Sequence, residues 1–287
     1  MSKSPSLLSR LAALVLPRPE NRVVLPDLEA GDSLIYAVGD LHGCRALYRD
    51  LEAMIVADAQ SIGLAPIIVL LGDMIDRGPD SAGLLDDLTN PAAAGLRRVA
   101  VMGNHEAMML EFLASPKKNV TWLSFGGTET LASYGLQLDE ADVQRLSERR
   151  LQQIFEAHIP ESHRSFLSSL PFGFTQGSLV FVHAGINPGY ALDEQPQDAV
   201  LLGAGVAEPV DGLIVVQGHI VVTSPDLSQS RIMVDTGAYK TGVLSAVRLG
   251  GNQMPSVLTC TAVQGGKAKA SHRVEASLRP MPQIDRK

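Results

Sequence analysis

The 287-residue chain has little cysteine, few aromatic residues and no excess of positive charge. Its two cysteines, Cys44 and Cys260, form no Cys-x-x-Cys pair. That excludes a disulfide framework and a thiolate zinc site and points to a reducing, cytoplasmic setting. The net charge of −7 leaves no basic footprint for nucleic acid. An anionic substrate would have to be met by metal ions or by a few placed Arg and Lys. No apolar run approaches the ~20 residues needed to cross a bilayer. The opening "SLLSRLAALVLPRPE" carries Arg10 and a short apolar run, but Pro17 and Pro19 close it without a small-x-small cleavage site. It reads as a short helix over the body of the domain.

What is present is an alternation of short β-branched runs with helical stretches, the pattern of an α/β protein. Strands are expected at 33–38, 66–71, 96–102, 178–184, 212–218 and 231–237, with a closing pair in "GVLSAVRLG" and "SVLTCTAVQ". Helices are expected over "CRALYRDLEAMIVADAQ", "DSAGLLDDLTN" and "HEAMMLEFLAS", and through most of 115–170. No linker divides the middle, so residues 31–262 read as one domain. Residues 1–30 read as an N-terminal extension and 263–287 as a weakly ordered tail.

The polar residues fall at strand ends. "GDLHG" (39–43), "GDMIDRG" (72–78), "GNHE" (103–106), "HAG" (183–185) and "GH" (218–219) each follow an expected strand. In α/β sheets ligands bind beyond the carboxyl ends of strands. Five loops thus deliver Asp40, His42, Asp73, Asp76, Arg77, Asn104, His105, His183 and His219 to one place. Imidazole, carboxylate and carboxamide donors without thiolate suit Mn, Fe or Zn. A carboxylate shared by two ions ~3.5–4 Å apart is the arrangement used for phosphoester hydrolysis.

The ordered set of five motifs resembles the phosphoprotein phosphatase branch of the calcineurin-like metallophosphoesterases, in the manner of bacterial serine/threonine phosphatases. "DTGA" with "GVLSAVRL" (235–249) extends the resemblance. It implies a β-sandwich of two mixed sheets flanked by helices (α/β/β/α). It implies two divalent ions, manganese first, with Asp40, His42 and Asp73 holding one. Asp73, Asn104, His183 and His219 would hold the other, and a metal-bridging hydroxide would attack phosphorus in line. His105 would be the general acid, Asp76 its orienting partner, and Arg77 and Asn104 contacts of the phosphate. Glu106 reads as structural at a helix start, Cys44 as a packing residue, and Met108 and Met109 as core filler. His158 and His163 receive no role.

One element of the family pattern is missing. Residues 186–217 contain no Arg or Lys, whereas relatives place a second phosphate-binding arginine there. Arg45, Arg164 and Lys240 are the candidate replacements. The first functional reading is a phosphoprotein or phosphopeptide phosphatase. The second is a symmetrical diadenosine tetraphosphate hydrolase, a branch that shares "GDLHGC" and "RGP" but tends to read Asp where Glu106 stands and to replace the Asp that stands here as Asp76. A metal-binding pseudo-phosphatase ranks third.

Overall fold

The computed structural model describes residues 22–203, 212–251, 253–263 and 269–274. The helix expected over the opening apolar run lies outside the described residues, as do positions 204–211 of the arginine-free segment.

Two mixed sheets face each other. The first runs β11-β10-β9-β1-β2-β3, from β1 (Leu34–Val38), β2 (Pro66–Leu70), β3 (Arg97–Ala100), β9 (Val243–Leu249), β10 (Ser256–Thr261) and β11 (Lys269–Val274). The second runs β4-β5-β6-β8-β7, from β4 (Gly173–Gln176), β5 (Leu179–Val182), β6 (Ile214–Gln217), β7 (Asp226–Leu227) and β8 (Arg231–Met233). Strands β1, β2 and β3 are mutually parallel, as are β5, β6 and β8. Their carboxyl ends therefore open on one edge of the sandwich.

Burial on both faces explains why β1 and β2 are uninterrupted apolar runs rather than alternating ones. Ile35, Ala37, Ile67 and Val69 meet Phe181, Val216 and Ile232 between the sheets. Leu34, Tyr36, Val38, Ile68 and Leu70 point the other way, into a core shared with Leu47, Leu51 and Ile55 of α1 (Arg45–Ile62). Helices α2 (Ser81–Thr89), α3 (Asn104–Ala114), α4 (Gly127–Ser133), α5 (Glu148–His158) and α6 (Glu161–Ser169) surround the edge where the loops emerge. The expected two-sheet sandwich with flanking helices is the fold observed.

The domain is wider than 31–262 at both ends. Val23, Leu25 and Leu28 are buried, and Leu28 N–H donates to the Thr175 carbonyl at 2.7 Å, so residues 22–30 belong to the body. In the expected tail, residues 269–274 form β11, antiparallel to β10. The open edge of β10 supplies the hydrogen-bonding groups that fix this segment, which its polar composition did not announce. Short strands β4 and β7 also lacked a sequence signal.

One buried ion pair fastens α1 to the sheet. Arg248 Nη1 on β9 donates to Asp58 Oδ1 and Oδ2 at 3.0 and 2.8 Å, and Tyr36 Oη donates to Asp58 Oδ2 at 2.7 Å. Burial, then Asp58, pushes the Tyr36 phenol far above its usual range. Asp58→Ala leaves the Arg248 charge buried and uncompensated, so a loss of about 3–5 kcal/mol is expected in urea unfolding. A loss below about 1 kcal/mol would show that the pair does not hold the helix.

Candidate metal centre

The backbone does unusual work at the open edge. Among the described residues six non-glycine positions have left-handed φ, and five are expected site residues: His42 (+41°), Asp73 (+47°), Asp76 (+72°), Arg77 (+66°) and His219 (+61°). Such conformations are costly for side-chain-bearing residues and persist only where the surroundings enforce them. Two of the motif glycines serve a different purpose. A Cβ at Gly78 would overlap the His42 carbonyl, and one at Gly103 would overlap the Asp73 nitrogen and carboxylate. These two glycines permit close approach between loops, while the left-handed turns fall on Gly43, Gly72 and the functional residues alike.

Hydrogen bonds knit the loops together. Leu41 and His42 N–H both donate to the Asp73 carbonyl, at 3.0 and 2.9 Å, and Gly43 N–H donates to Met74. Glu106 is fully buried. Its carboxylate accepts four backbone N–H groups, from Met74 (2.7 Å) and Ile75 (3.2 Å) on Oε1 and from Asp73 (2.9 Å) and Gly103 (3.0 Å) on Oε2. Glu106 is structural, as expected, though it acts by bracing a neighbouring loop rather than through the dipole of its own helix.

The side chains then converge. His42 Nδ1 lies 2.8 Å from the Ile75 carbonyl and His183 Nδ1 lies 2.7 Å from the Leu71 carbonyl. A carbonyl only accepts, so both rings donate from Nδ1 and keep a lone pair on Nε2. Asp73 Oδ2 faces two such nitrogens, at 3.7 Å from His42 and 3.4 Å from His183, and lies 3.8 Å from His105 Nε2. His183 Nε2 also lies 2.9 Å from Asn104 Oδ1 and 3.1 Å from His219 Nδ1. Oxygen and nitrogen lone pairs thus confront one another with few protons to share.

That arrangement fits cations. Ligands on a metal with ~2.1 Å bonds stand about 3.0–3.4 Å apart, close to these separations. Two groups of donors lie within 4.8 Å of one another, His42/Asp73/His105 and Asp73/His183/His219, with Asp73 common to both. Asn104 adjoins the second group. Asp40 is buried beside the first, but both its oxygens accept from His219 N–H at 3.1 and 3.2 Å, so its carboxylate is turned across the site.

Charge balance says the same. Burial, followed by Asp235 and Asp73, holds the Asp40 carboxyl well above its usual range. Asp235, in the "DTGA" loop after β8, is pushed up to about 6 by burial and then by Asp73. Burial, then His183, lowers His219 to about 4, which keeps its imidazole neutral and available as a ligand. Buried carboxylates that repel one another and neutral imidazoles with inward lone pairs are the makings of a divalent metal centre.

Beside it sits an acid–base pair. His105 Nδ1 lies 2.6 Å from Asp76 Oδ2, and both residues are fully buried. Burial disfavours imidazolium, but the Asp73 and Asp76 carboxylates outweigh it and raise the His105 pKa above its ordinary value. Asp76 is itself held by Trp122 Nε1–H at 2.7 Å and Thr130 Oγ1–H at 2.6 Å. Neither Trp122 nor Thr130 was singled out by motif reading; both come from helices remote in sequence. Arg77 spreads its fork over the two nearest imidazoles, Nη1 at 2.9 Å from His42 Nε2 and Nη2 at 2.9 Å from His105 Nε2.

Of the candidate replacements for the missing arginine, Arg45 is tied to Asp80 and Asp87 and Arg164 to Glu161. Lys240 is exposed beside the site and makes no ion pair with the described residues. His163 bridges Tyr134 and Asp86 away from the centre, and Cys44 is a partly buried free thiol that packs against the core.

The family model described as calcineurin-like phosphoesterase matches residues 33–239. A symmetrical bis(5'-nucleosyl)-tetraphosphatase of Aromatoleum aromaticum is 28% identical over 159 residues, covering 55% of this chain and 46% of that one. Serine/threonine-protein phosphatase 1 of Salmonella typhimurium is 38% identical over 93 residues, covering 32% of this chain and 38% of that one. The chain thus spans less than half the length of these two curated relatives. A solved structure provisionally described as a diadenosine tetraphosphatase superposes with a TM-score of 0.56 at 22% identity, over 85% of this chain and 99% of that one.

The raised Asp235 carboxyl gives a test of the charge crowding. The folded form binds its proton more tightly than an unfolded Asp, so the residue costs stability as pH rises from about 4 through about 6. In chelator, Asp235→Asn is expected to raise Tm above pH ~6 and to converge on the wild type near pH ~4. A Tm difference that is flat across this range would show that Asp235 does not feel the other carboxylates.

Proposed function

The chain belongs to the calcineurin-like phosphoesterase family, and from that premise we propose that it is a dinuclear-metal hydrolase of nucleoside polyphosphates, of the symmetrical diadenosine tetraphosphatase type. The observation that carries the hydrolase reading is the shared Asp73, flanked by two donor groups and backed by the His105–Asp76 pair.

The choice of substrate rests on two supports. Relatives named as bis(5'-nucleosyl)-tetraphosphatases, one symmetrical and one asymmetrical, cover 55% and 74% of the chain, against 32% for the one named as a protein phosphatase. Two sequence features favoured the protein phosphatase, Asp76 ahead of Arg77 and Glu106 in place of Asp, and the second loses its weight. The Glu106 carboxylate is spent on four backbone N–H groups of the loops, so it does not discriminate between substrates.

Asp40, His42, Asp73, Asn104, His183 and His219 are the proposed ligands, and the N/O donor set favours manganese, with iron or zinc also compatible. When bound, two such ions supply Lewis acidity and an activated water. The chain's own residues do the rest. Arg77 turns its planar fork from the imidazoles to the phosphate oxygens. Its departure frees His105 Nε2 to take up a proton from solvent, which the raised pKa favours, and to pass that proton to the leaving oxygen. Asp76, fixed by Trp122 and Thr130, keeps the ring oriented and favours its imidazolium form. Asn104 stands next to both the ligands and the phosphate position.

The phosphoprotein reading retains one support, the intact Asp76–Arg77 element together with the relative from Salmonella typhimurium. A substrate panel separates the two. With Mn²⁺, release of ADP from diadenosine tetraphosphate is expected at a kcat/KM well above that for phosphoserine peptides; the opposite order would restore the phosphoprotein reading. Arg77→Ala and His105→Asn are each expected to lower kcat by about 100-fold or more. Wild-type turnover no better than these variants on any substrate would overturn the hydrolase reading.

A further inference from the structure

Large apolar side chains are exposed at six described positions: Val24, Tyr190, Ile220, Val221, Tyr239 and Val263. Scattered singly, such residues need no explanation. Three of them are not scattered. Ile220 and Val221 directly follow the proposed ligand His219, and Tyr239 follows the Asp235 loop. The two segments touch. Val222 N–H donates to the Asp235 carbonyl at 2.9 Å, and Val221 packs over Gly237, where a Cβ would stand 3.0 Å from Val221 Cγ1.

Tyr239 ties this patch to the phosphate end of the site. Its ring meets the His42 ring edge-on at 5.1 Å between centroids. The Arg77 guanidinium carbon stands 4.9 Å from the ring centroid. The ring is still 40% exposed, with Ile220 at 46% and Val221 at 52%. Lys240 is the next residue, exposed and without an ion pair among the described residues.

We propose that Tyr239, Ile220 and Val221 form a shelf for the nucleobase of a nucleoside polyphosphate, with Lys240 beside it as the second phosphate-binding cation. A flat base finds an aromatic face and an aliphatic floor, the surface on which bases stack. The shelf lies beside Arg77 and adjoins the proposed ligands His42 and His219, so a base resting on it would keep its phosphates within reach of the centre. A chain of phosphates carries several negative charges onto a protein of net charge −7. Arg77 alone serves one phosphate, so a longer anion calls for the second cation that residues 186–217 do not supply. A phosphotyrosine ring, carried one oxygen from phosphorus, is the competing occupant that the titration resolves.

This inference rests on the nucleoside polyphosphate reading, and the test separates the two. Calorimetric titration of the full chain in Mn²⁺ compares ADP, pyrophosphate, inorganic phosphate and a tyrosine phosphopeptide. Wild type is expected to bind ADP about tenfold more tightly than pyrophosphate, the margin of one stacked base. Ile220→Ser should erase that margin and leave pyrophosphate unchanged, Tyr239→Ala should bring the ADP-to-pyrophosphate ratio to one whatever its effect on both, and Tyr239→Phe should keep the ratio. Lys240→Ala should weaken ADP and pyrophosphate severalfold and inorganic phosphate little. Equal affinities for ADP and pyrophosphate in the wild type, or a margin that survives Tyr239→Ala, would overturn the shelf. So would a Tyr239-dependent preference for the phosphopeptide over ADP. Because binding is read without turnover, an intact margin in a protein that hydrolyses nothing would count against the proposed hydrolase alone.

Discussion

The geometry of the open edge depends on one buried carboxylate. Glu106 gathers the N–H groups of Asp73, Met74, Ile75 and Gly103 onto two oxygens. Buried backbone donors without partners are expensive, and a loop with left-handed residues at Asp73, Asp76 and Arg77 has no regular ladder to absorb them. The carboxylate supplies that absorption at a single point. It links the loop after β2 to the start of α3, and so fixes the shared carboxylate of Asp73 relative to Asn104 and His105.

From that brace the electrostatics follow. Loops held at close range bring lone pairs of Asp73, Asn104 and His219 to within 2.9–3.4 Å of His183 Nε2. Among the described residues, Arg77 is the side-chain cation that reaches this concentration of electron density. Arg77 reaches two imidazoles at once, His42 and His105. The same fork that quiets the imidazoles is the group best shaped to meet a phosphate. In the proposed function, moving it onto an anion exposes His105, and anion contact and readiness of the acid are then coupled through one side chain.

Much of this was legible in the sequence, and for a physical reason. Short loops between parallel strands leave their residues at one edge, so "GDLHG", "GDMIDRG", "GNHE", "HAG" and "GH" carry spatial as well as sequential order. The strands themselves were legible because burial on both faces demands unbroken apolar runs such as Ile67–Leu71. What stayed hidden depends on distance along the chain. Trp122 and Thr130 reach Asp76 from 46 and 54 residues away, with no spacing to announce it. The shelf of Ile220, Val221 and Tyr239 combines two segments whose contact exists only in the fold. The strand Lys269–Val274 is polar and takes its order from the edge of β10. Glu106 could be recognised as structural, but its role belongs to the backbone of another loop.

Trp122 deserves a different reading as well. It is the chain's single tryptophan, fully buried, and its indole N–H ends on the carboxylate behind the acid–base histidine. All tryptophan emission from this protein therefore originates one hydrogen bond from Asp76 and two from the ring of His105. A change of protonation or hydrogen bonding in that pair alters the field at the only indole in the molecule. The fold has thereby wired its one intrinsic fluorophore to the chemistry of its centre, and the protein carries its own optical reporter of the acid–base state.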